Sequence, residues 1–257
     1  MPKRLSLTLM AACLLSLGGT AFAMTRLTLS NQEWPPYMGE QLQEGGMLTA
    51  LVSAVLDKAG LSARYVYLPN NRALASARSG KLDGAVGWAP TPERSRELVF
   101  TEPVLMARMV FFQRKGERLP WSSLRDLSRY RIGITIGNTY SEVFSSLQAQ
   151  GVLHTDGAGD DLTNLRKLQA GRIDLFPIEA DVGRYLVARY LNGGNSGLTP
   201  QSRAFWTAPL CVAIRADRPN AREMVARFNH ALRAMKASGE LERRVAAYRA
   251  GNGSSFH

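Results

Sequence analysis

The residue best suited to hold an anion is Arg94, in the segment Thr91-Pro92-Glu93-Arg94. This segment follows an apolar run that ends at Trp88, and ligands of open α/β sheets lie beyond the carboxyl ends of strands. The planar guanidinium group of an arginine can hold a carboxylate through two parallel hydrogen bonds. The alternative interpretation is a surface arginine that pairs with Glu93 or Glu97.

Two further polar sites fall where predicted strands end. Asn138 and Thr139 follow Gly137 at a strand-to-helix junction, where free backbone N–H groups and the helix dipole favour an anion. An ordinary helix N-cap is the alternative. Glu179 ends a strand that begins near Asp174, and its carboxylate could pair with the ammonium group of a ligand; a solvated loop acid is the alternative.

Aromatic side chains lie in the same kind of position. Trp34, Tyr37 and Trp88 are all predicted in loops at strand ends. Such rings can stack on a bound molecule, or they can simply cover the edge of a domain. Together with the arginine and the glutamate, they point to a small ligand with both a carboxylate and an ammonium group.

Residue patterns for catalysis or metal binding are missing from the sequence. The three histidines, His154, His230 and His257, are far apart, and no spacing of His, Cys and acids suits zinc. There is no G-x-S-x-G elbow, P-loop or dinucleotide fingerprint. We therefore predict neither a catalytic site nor a cofactor.

A short phrase that occurs twice indicates how these residues are positioned. The segments Ser79-Gly80-Lys81-Leu82-Asp83 and Ala170-Gly171-Arg172-Ile173-Asp174 each combine a helix end, a glycine, a cation, an apolar residue and an aspartate before a buried strand. Glycine ends a helix because it adopts left-handed backbone angles without a Cβ clash. The phrase predicts two similar α/β halves that face each other across a cleft. We expect Asp83 and Asp174 to fix the turn after each helix rather than to bind a ligand.

Periodicity predicts a β-α-β-α-β order in the first half, with strands at 26–31, 64–68 and 83–88 and helices at 47–59 and 72–79. The second half repeats strands and helices from 131 onward, with a helix at 140–150, and helices at 219–235 and 240–249 end the chain. Apolar strands at 104–113 and 208–214 are placed to cross between the halves. The predicted lobes are therefore 24–107 with 207–257, and 108–206.

The N-terminal residues read as a targeting segment. Lys3-Arg4 precede an apolar run at 5–19 and the small-residue signal Ala21-Phe22-Ala23, which predicts a secretory signal peptide over 1–23. The run is shorter than the roughly 20 residues of a membrane span. A lipoprotein centred on Cys13 is the alternative. We expect a periplasmic protein.

The chain carries a formal net charge of +11, and loss of the two cations in 1–23 leaves +9. Its lysines and arginines are spread along predicted helices, so a solvated helix surface is favoured over binding to nucleic acid. Cys211 is the single cysteine after residue 23. It therefore forms no internal disulfide, and we expect its side chain to be buried as a small apolar group. We expect the protein to be a monomer.

These motifs are similar to those of family 3 extracellular solute-binding proteins, the periplasmic receptors of polar amino-acid ABC importers. The resemblance spans the mature chain, and T-P-E-R followed by F-T-E-P is its most specific part. It rests on Glu33-Trp34-Pro35-Pro36-Tyr37, Ser79-Gly80-Lys81-Leu82-Asp83, Thr91-Pro92-Glu93-Arg94, Phe100-Thr101-Glu102-Pro103 and Gly171-Arg172-Ile173-Asp174. It implies a two-lobed flytrap of type II, with a two-strand hinge and a ligand cleft between the lobes.

The resemblance also implies roles for individual residues. Arg94 falls on the arginine that holds the ligand α-carboxylate, and Glu179 falls where an aspartate usually takes the α-ammonium group. The remaining matched positions are the aromatic cover Trp34, the second-lobe pair Asn138 and Thr139, and the first-lobe wall residues Asn70, Asn71 and Trp88.

The chain also departs from the family pattern. Gly87-Trp88-Ala89-Pro90 stands where Ser or Thr is usual, and Met47-Leu48-Thr49-Ala50 replaces acidic residues at the start of the first helix.

The expected function is capture of a small zwitterion, a polar amino acid, for a membrane permease. A sensory module that reports to a membrane receptor is an alternative. So is a dehydratase-like enzyme of the same fold, although that enzyme would carry an added acid where this chain has Val182.

Overall fold

The computed structural model describes residues 25–138, 140–191 and 196–254, apart from the side chains of 70, 71 and 252–254. It confirms the predicted α/β class with two lobes, each built on a mixed sheet. The predicted signal peptide lies outside the described residues. Among the described helices, none combines the length and apolar character that a membrane crossing requires.

The first sheet has a parallel core and one antiparallel strand that returns from the other lobe. Strands and helices are numbered in chain order. The strands of this first sheet lie in the spatial order β2 (Leu61–Tyr67), β1 (Thr25–Asn31), β3 (Gly84–Trp88), the second half of β9 (Leu198–Arg215) and β4 (Leu98–Phe100). The helices of this lobe are α1 (Met47–Lys58), α2 (Asn70–Arg78), α6 (Ala221–Ala237) and α7 (Glu240–Ser254).

The second sheet repeats this order with other strands. It runs β7 (His154–Ala158), β6 (Arg131–Thr135), β8 (Phe176–Glu179), β5 (Leu105–Arg114) and the first half of β9. The pair of β6 and β7 connects to β8 through an isolated bridge between Ile132 and Leu175. Its helices are α3 (Glu142–Ala149), α4 (Asp161–Gln169) and α5 (Ala180–Tyr190). Strand β1 lies between β2 and β3 in the first sheet, and β6 lies between β7 and β8 in the second, so the doubled sequence phrase does mark two similar halves.

The two aspartates of that phrase, Asp83 and Asp174, have the same structural role. The Asp83 carboxylate accepts a hydrogen bond from the Thr28 N–H of β1 at 2.8 Å and pairs with Arg218 at 2.7 Å. The Asp174 carboxylate accepts from the Arg131 N–H of β6 at 2.9 Å and pairs with the Arg131 side chain at 2.7 Å. Each aspartate thus ties the turn after a helix to the neighbouring strand.

Burial of a helix face stabilises the first lobe. In α1 the side chains of Leu48, Leu51, Val52 and Val55 are at most 2% exposed, and their spacing of three and four residues puts them on one face. Each such burial contributes roughly 1.5–3 kcal/mol. The face packs toward β2 and α6, which fixes the loop before α1 beside the edge where β1 ends.

The two lobes are joined by a ribbon of β5 and β9. These strands pair antiparallel, with Leu105 opposite Leu210 and Ala107 opposite Ala208. Because β9 continues into the first sheet and β5 into the second, the ribbon is the junction of the lobes. The lobe bounds 24–107 with 207–257 and 108–206 stay a prediction.

Several elements differ from the sequence-based expectation. The strand predicted at 208–214 begins ten residues earlier, at Leu198. The added part contains Pro200, which an edge strand tolerates. The short strands β4 and β7 were not predicted. Helix α3 begins at Glu142 rather than at Tyr140, because Ser141 is its N-cap.

Candidate ligand-binding cleft

A cleft of about 510 Å³ lies at the ribbon, where both lobes contribute to its walls. Strand alternation decides which ribbon side chains face it: Ala107 and Met109 of β5 and Trp206, Ala208 and Leu210 of β9 line the cleft. The carboxyl ends of β1, β3 and β8 open onto it through the residues that end or follow them. The predicted cleft between two α/β halves is therefore present.

Aromatic rings form much of the cleft wall. Trp34 and Trp88, both predicted from the sequence, line it together with Trp206. The Trp34 ring stacks on Tyr37, with ring centroids 4.7 Å apart, and Tyr37 is 1% exposed. The buried tyrosine holds the tryptophan in place at the mouth of the cleft, so the ring can cover a ligand.

Glu179 ends β8 as predicted and lines the cleft, but its carboxylate also caps a helix. Oε2 accepts hydrogen bonds from the N–H groups of Asp181 at 2.7 Å and Val182 at 3.0 Å, and Oε1 accepts from the Arg108 N–H at 3.2 Å. The side chain is almost fully buried. Burial raises the pKa of this carboxyl, and the nearby Asp181 charge adds to the effect, while the backbone N–H groups oppose it.

Asp161, the first residue of α4, places a second carboxylate in the second-lobe wall. Its Oδ1 accepts a hydrogen bond from the Thr135 hydroxyl at 2.5 Å and a long one from Asn138 Nδ2 at 3.5 Å. Burial raises the pKa of Asp161, and the Thr135 hydrogen bond partly offsets this. A half-buried carboxylate that faces the cleft is suited to a cationic group.

The charge of the cleft walls is negative. Glu33, Asp161 and Glu179 line it, whereas no Lys or Arg of the described residues does. A cation entering such a cleft would be attracted before it makes any contact.

The predicted anion site at the start of α3 is only partly described. Asn138 lines the cleft, but the N-cap of α3 is Ser141, whose side chain accepts from the Phe144 N–H. The free helix N–H groups therefore do not lie at Asn138. Thr139 and the side chain of Asn70, both predicted to bind the ligand, lie outside the described residues.

Arg94 lies beside the cleft rather than in its wall. Its guanidinium carbon is 5.0 Å from the centre of the Trp88 ring, and Nη1 donates a hydrogen bond to the Ala89 carbonyl oxygen at 2.9 Å. This bond takes one of the five N–H donors of the group. The side chain is partly buried, and the Arg94 N–H donates to the Thr91 hydroxyl at 3.2 Å.

A second pocket of about 430 Å³ lies on the opposite face of the ribbon, where Met106 and Arg108 of β5 point. Contacts between the lobes cross this face. Asp181 of α5 accepts from Arg249 Nη2 of α7 at 2.7 Å and from the Tyr37 hydroxyl at 3.2 Å. Asp181 is 6% exposed, so its charge is balanced within the protein.

Four polar or aromatic residues of the described cleft wall were not predicted from the sequence: Gln32, Glu33, Asp161 and Trp206. Gln32 follows the first strand directly, a position that could have indicated it. Asp161 stands next to the N-cap Asp160, and its local pattern does not distinguish it from other acidic residues in the first turn of a helix. Trp206 lies in the part of β9 that was not recognised as a strand.

Comparison with known proteins agrees with the fold and the cleft. Residues 28–250 match the family of bacterial extracellular solute-binding proteins, family 3. The chain therefore belongs to this family, a class of proteins that bind solutes. Among the described residues, no group of His, Cys, Asp and Glu is arranged to hold a metal ion.

Individual relatives are distant. The arginine-binding extracellular protein ArtP of Bacillus subtilis is 24% identical over 265 residues, covering 94% of this chain and 96% of that protein. The structure of an ancestral arginine-binding protein bound to arginine has a TM-score of 0.63 at 22% identity, over 87% of this chain and 97% of that one. A histidine kinase sensor domain with similarity to periplasmic binding proteins has a TM-score of 0.64 at 20% identity, over 88% and 96%.

Proposed function

We propose that this chain captures a free amino acid in the cleft and delivers it to the membrane permease of an ABC importer. The observation that carries the proposal is the cleft itself: the walls come from both lobes, with three tryptophans, the buried carboxylate of Glu179 and the half-buried carboxylate of Asp161. Such a concave site with a few convergent polar groups suits a small molecule. Family membership supports a solute as the cargo.

The proposed orientation places the α-carboxylate toward Arg94 and the α-ammonium group toward Glu179. Four N–H donors of the Arg94 guanidinium lie beyond its bond to Ala89. Its position on the Trp88 ring puts the positive charge next to the cleft. Glu179 is ionised at neutral pH only at the cost of burial, so an ammonium group would relieve that cost.

We further propose that the amino acid has a positively charged side chain. The acidic wall supports this, because Glu33 and Asp161 remain after Glu179 takes the ammonium group. Two of the similar proteins, one from Bacillus subtilis and one ancestral, are named for arginine. L-arginine and L-lysine are the first ligands to test.

We also propose that the protein is exported, which protein it binds and that it is a monomer. The segment 1–23 acts as the signal peptide, and the mature protein begins near Met24 in the periplasm. Mass spectrometry of the secreted protein checks this: an intact residue 1, or a lipid on Cys13, contradicts it. We also propose a monomer, with the permease as its partner.

A thermal-shift screen over the L-amino acids and small carboxylates tests the function. A ligand that binds the folded state raises its stability, so L-arginine or L-lysine should give the largest shift. Absence of a shift with every amino acid overturns the proposal. If small carboxylates alone produce shifts, the ligand is a plain carboxylate.

Calorimetry on variants then tests the orientation. Arg94→Ala should weaken binding by roughly 2–5 kcal/mol, because the ligand carboxylate loses its partner. Arg96→Ala is the matched control, since Arg96 is an exposed arginine of the same helical turn. Glu179→Gln should also lose binding. Since Glu179 also caps α5, urea unfolding of the unliganded variant must separate lost stability from lost affinity. Binding by both variants within a factor of two of the parent places the site elsewhere.

A sensory role is the second candidate, supported by the likeness to a histidine kinase sensor domain. The ligand would bind in the same cleft in both roles, so the identity of the partner protein distinguishes them. If the chain serves an importer, adding it to a reconstituted permease should produce transport of the ligand. A dehydratase role is disfavoured, because Val182 lines the cleft where that reaction would need an acid. Incubation with prephenate or arogenate tests it, and product formation would contradict our assignment.

A further inference from the structure

The two faces of the β5–β9 ribbon differ in charge. The cleft face is lined by acidic side chains, without a lysine or arginine from the described residues. The pocket of about 430 Å³ on the opposite face is lined by Arg108, Arg184 and Arg249, with Glu179 and Asp181 as its acidic residues. Capture of an amino acid in the cleft gives this second pocket no role.

The accessible charge of the pocket is positive. The side chains of Arg184 and Arg249 are 55% and 56% exposed, and Arg108 is also exposed. By contrast, Glu179 and Asp181 are buried, and their carboxylate oxygens already accept hydrogen bonds from protein groups. A molecule that enters the pocket therefore meets guanidinium groups rather than carboxylates.

Several N–H donors of these arginines are not used by the described residues. A guanidinium group has five N–H donors. Arg249 donates to Asp181 through Nε at 3.3 Å and Nη2 at 2.7 Å, and Arg184 donates to Asp181 once, at 3.2 Å. The Arg108 side chain donates to the Ser202 carbonyl oxygen at 2.9 Å and forms no ion pair within the described part of the chain. One aspartate is thus shared by two arginines, which leaves an excess of positive charge.

The rest of the pocket wall is mainly apolar. Pro36, Met47, Met106, Ala180 and Ala188 line it. Met106 is 47% exposed, so its flexible, polarizable side chain is available to a ligand. A concave site of this size that combines apolar walls with a few convergent charges suits a small organic molecule. The charge and the wall together suit an anion with an apolar body.

Strand alternation separates this pocket from the cleft. Met106 and Arg108 of β5 line the pocket, whereas Met109 of the same strand lines the cleft. The pocket also spans the lobes, because Arg184 lies on α5 of the second lobe and Arg249 on α7 of the first. A molecule bound there would contact both lobes without entering the cleft.

We propose that this pocket is a second binding site, which takes a small organic carboxylate with an apolar body. The carboxylate lies among the guanidinium groups of Arg108, Arg184 and Arg249, whose planar forks can hold its oxygens through paired hydrogen bonds. The apolar body lies against Met106. The site does not depend on the identity of the cleft ligand, because it uses the other face of the ribbon.

Hexanoate is the probe, because it joins a carboxylate to a short apolar chain. Calorimetry should show that the unliganded parent binds hexanoate. Acetate lacks most of the chain and 1-hexanol lacks the charge, so each should bind at least about 10-fold more weakly. No binding of hexanoate, or equal binding of all three compounds, overturns the inference.

A charge-removing substitution tests the arginines. Arg108→Gln should weaken hexanoate binding roughly 10- to 100-fold, the range for a hydrogen bond to a charged group. Arg125→Gln is the matched control, since Arg125 is an exposed arginine outside both the pocket and the cleft, and its affinity should equal that of the parent. Urea unfolding of both variants checks that the fold is retained. Binding by Arg108→Gln within a factor of two of the parent overturns the assignment.

Methyl NMR shows which face of the ribbon hexanoate occupies. In protein with carbon-13 in the methionine methyl groups, Met106 reports on the pocket and Met109 on the cleft. The variants Met106→Leu and Met109→Leu assign the two signals. Hexanoate should shift the Met106 signal, and an unshifted Met106 signal overturns the inference.

The outcomes separate this inference from the proposed function. Arg94→Ala should bind hexanoate as the parent does, and a loss of binding in this variant would place hexanoate in the cleft and overturn the inference. If no amino acid gives a thermal shift, the proposed function fails while hexanoate binding is still expected. If amino acids bind and hexanoate does not, this inference alone fails.

Discussion

Replacing Asp174 with asparagine should destabilise the second lobe at neutral pH. The carboxylate accepts hydrogen bonds from the Arg131 backbone at 2.9 Å and from the Arg131 side chain at 2.7 Å, and it pairs with Arg114 at 3.3 Å. Asparagine keeps the shape but removes the charge. Arg131 then loses its anionic partner, whereas Arg114 keeps its ion pair with Glu117 at 2.7 Å. The tie between the turn before β8 and β6 is weakened, because hydrogen bonds to a charged group are stronger than those to a neutral one.

The size of the effect follows from the pKa of the group. The hydrogen bonds from Arg131 lower the pKa of Asp174 from 3.8 to about 2. At 1.36 kcal/mol for each pH unit, this shift corresponds to about 2.4 kcal/mol. The side chain is 20% exposed, so solvent screening reduces the expected loss to about 1–2 kcal/mol.

The sign of the pH dependence is fixed by the lowered pKa. The ionised carboxylate stabilises the fold fully above the ordinary pKa of aspartate, and this contribution is lost as pH falls from about 4 to about 2. The difference in stability between parent and variant should therefore be full at pH 7 and should shrink below pH 4.

Urea unfolding of the unliganded proteins, followed by circular dichroism across this pH range, measures the difference. Asp156→Asn is the matched control, because Asp156 is 55% exposed and its bridge to Lys167 should contribute less than about 0.5 kcal/mol. The reasoning is refuted if Asp174→Asn is as stable as the parent at pH 7, or if the difference does not change as the pH is lowered.

Three further predictions concern the core and the site. Gly84→Ala should cost more than about 2 kcal/mol in urea unfolding, because its Cβ would lie 2.2 Å from the Ala213 carbonyl oxygen; Gly159→Ala, with no atom within 4 Å, should be neutral, and equal costs would contradict this. Burial raises the pKa of the Cys211 thiol to about 11, so at pH 8 a thiol reagent should modify the native protein at least about 100-fold more slowly than the unfolded chain; equal rates would show that the thiol is accessible. The raised pKa of Glu179 means that calorimetric affinity for an ammonium ligand should fall as pH drops through that pKa, while in the unliganded protein the contribution of Glu179 to stability is full at acid pH and lost as pH rises through it; an affinity that stays unchanged as pH falls from neutral to the ordinary pKa of glutamate would contradict the assignment.

Local signals predicted much of the fold. Helix α1 was expected at 47–59 and spans Met47–Lys58, because its apolar spacing is regular and Gly60 follows it. The doubled phrase predicted two similar halves correctly, since its glycines and aspartates act through local turns. The predicted strand at 208–214 was shorter than β9, because residues 198–207 lack a continuous apolar run and are held by pairing with the distant strand β5.

Less of the candidate site than of the fold could be predicted from the sequence. Trp88 and Glu179 could be predicted because each ends a strand, and Trp34 because it lies in the loop directly after one; strand ends converge on a cleft. Asp161 and Trp206 reach the cleft only through the packing of distant elements, which no local pattern encodes. The additional role of Glu179 as a helix cap, and the placement of Arg94 beside Trp88, follow from side-chain conformations that spacing does not determine.

The contact between Asp181 and Arg249 has a mechanical consequence. It spans the lobes on the face of the β5–β9 ribbon that lies away from the cleft. A bend of the ribbon that narrows one face must widen the other, so the lobes cannot tighten around a solute and keep this contact at its present length. The measured affinity would then be a difference between two sets of contacts: those gained around the solute and those released behind the ribbon. Substitutions far from any solute could retune the protein by altering only the second set.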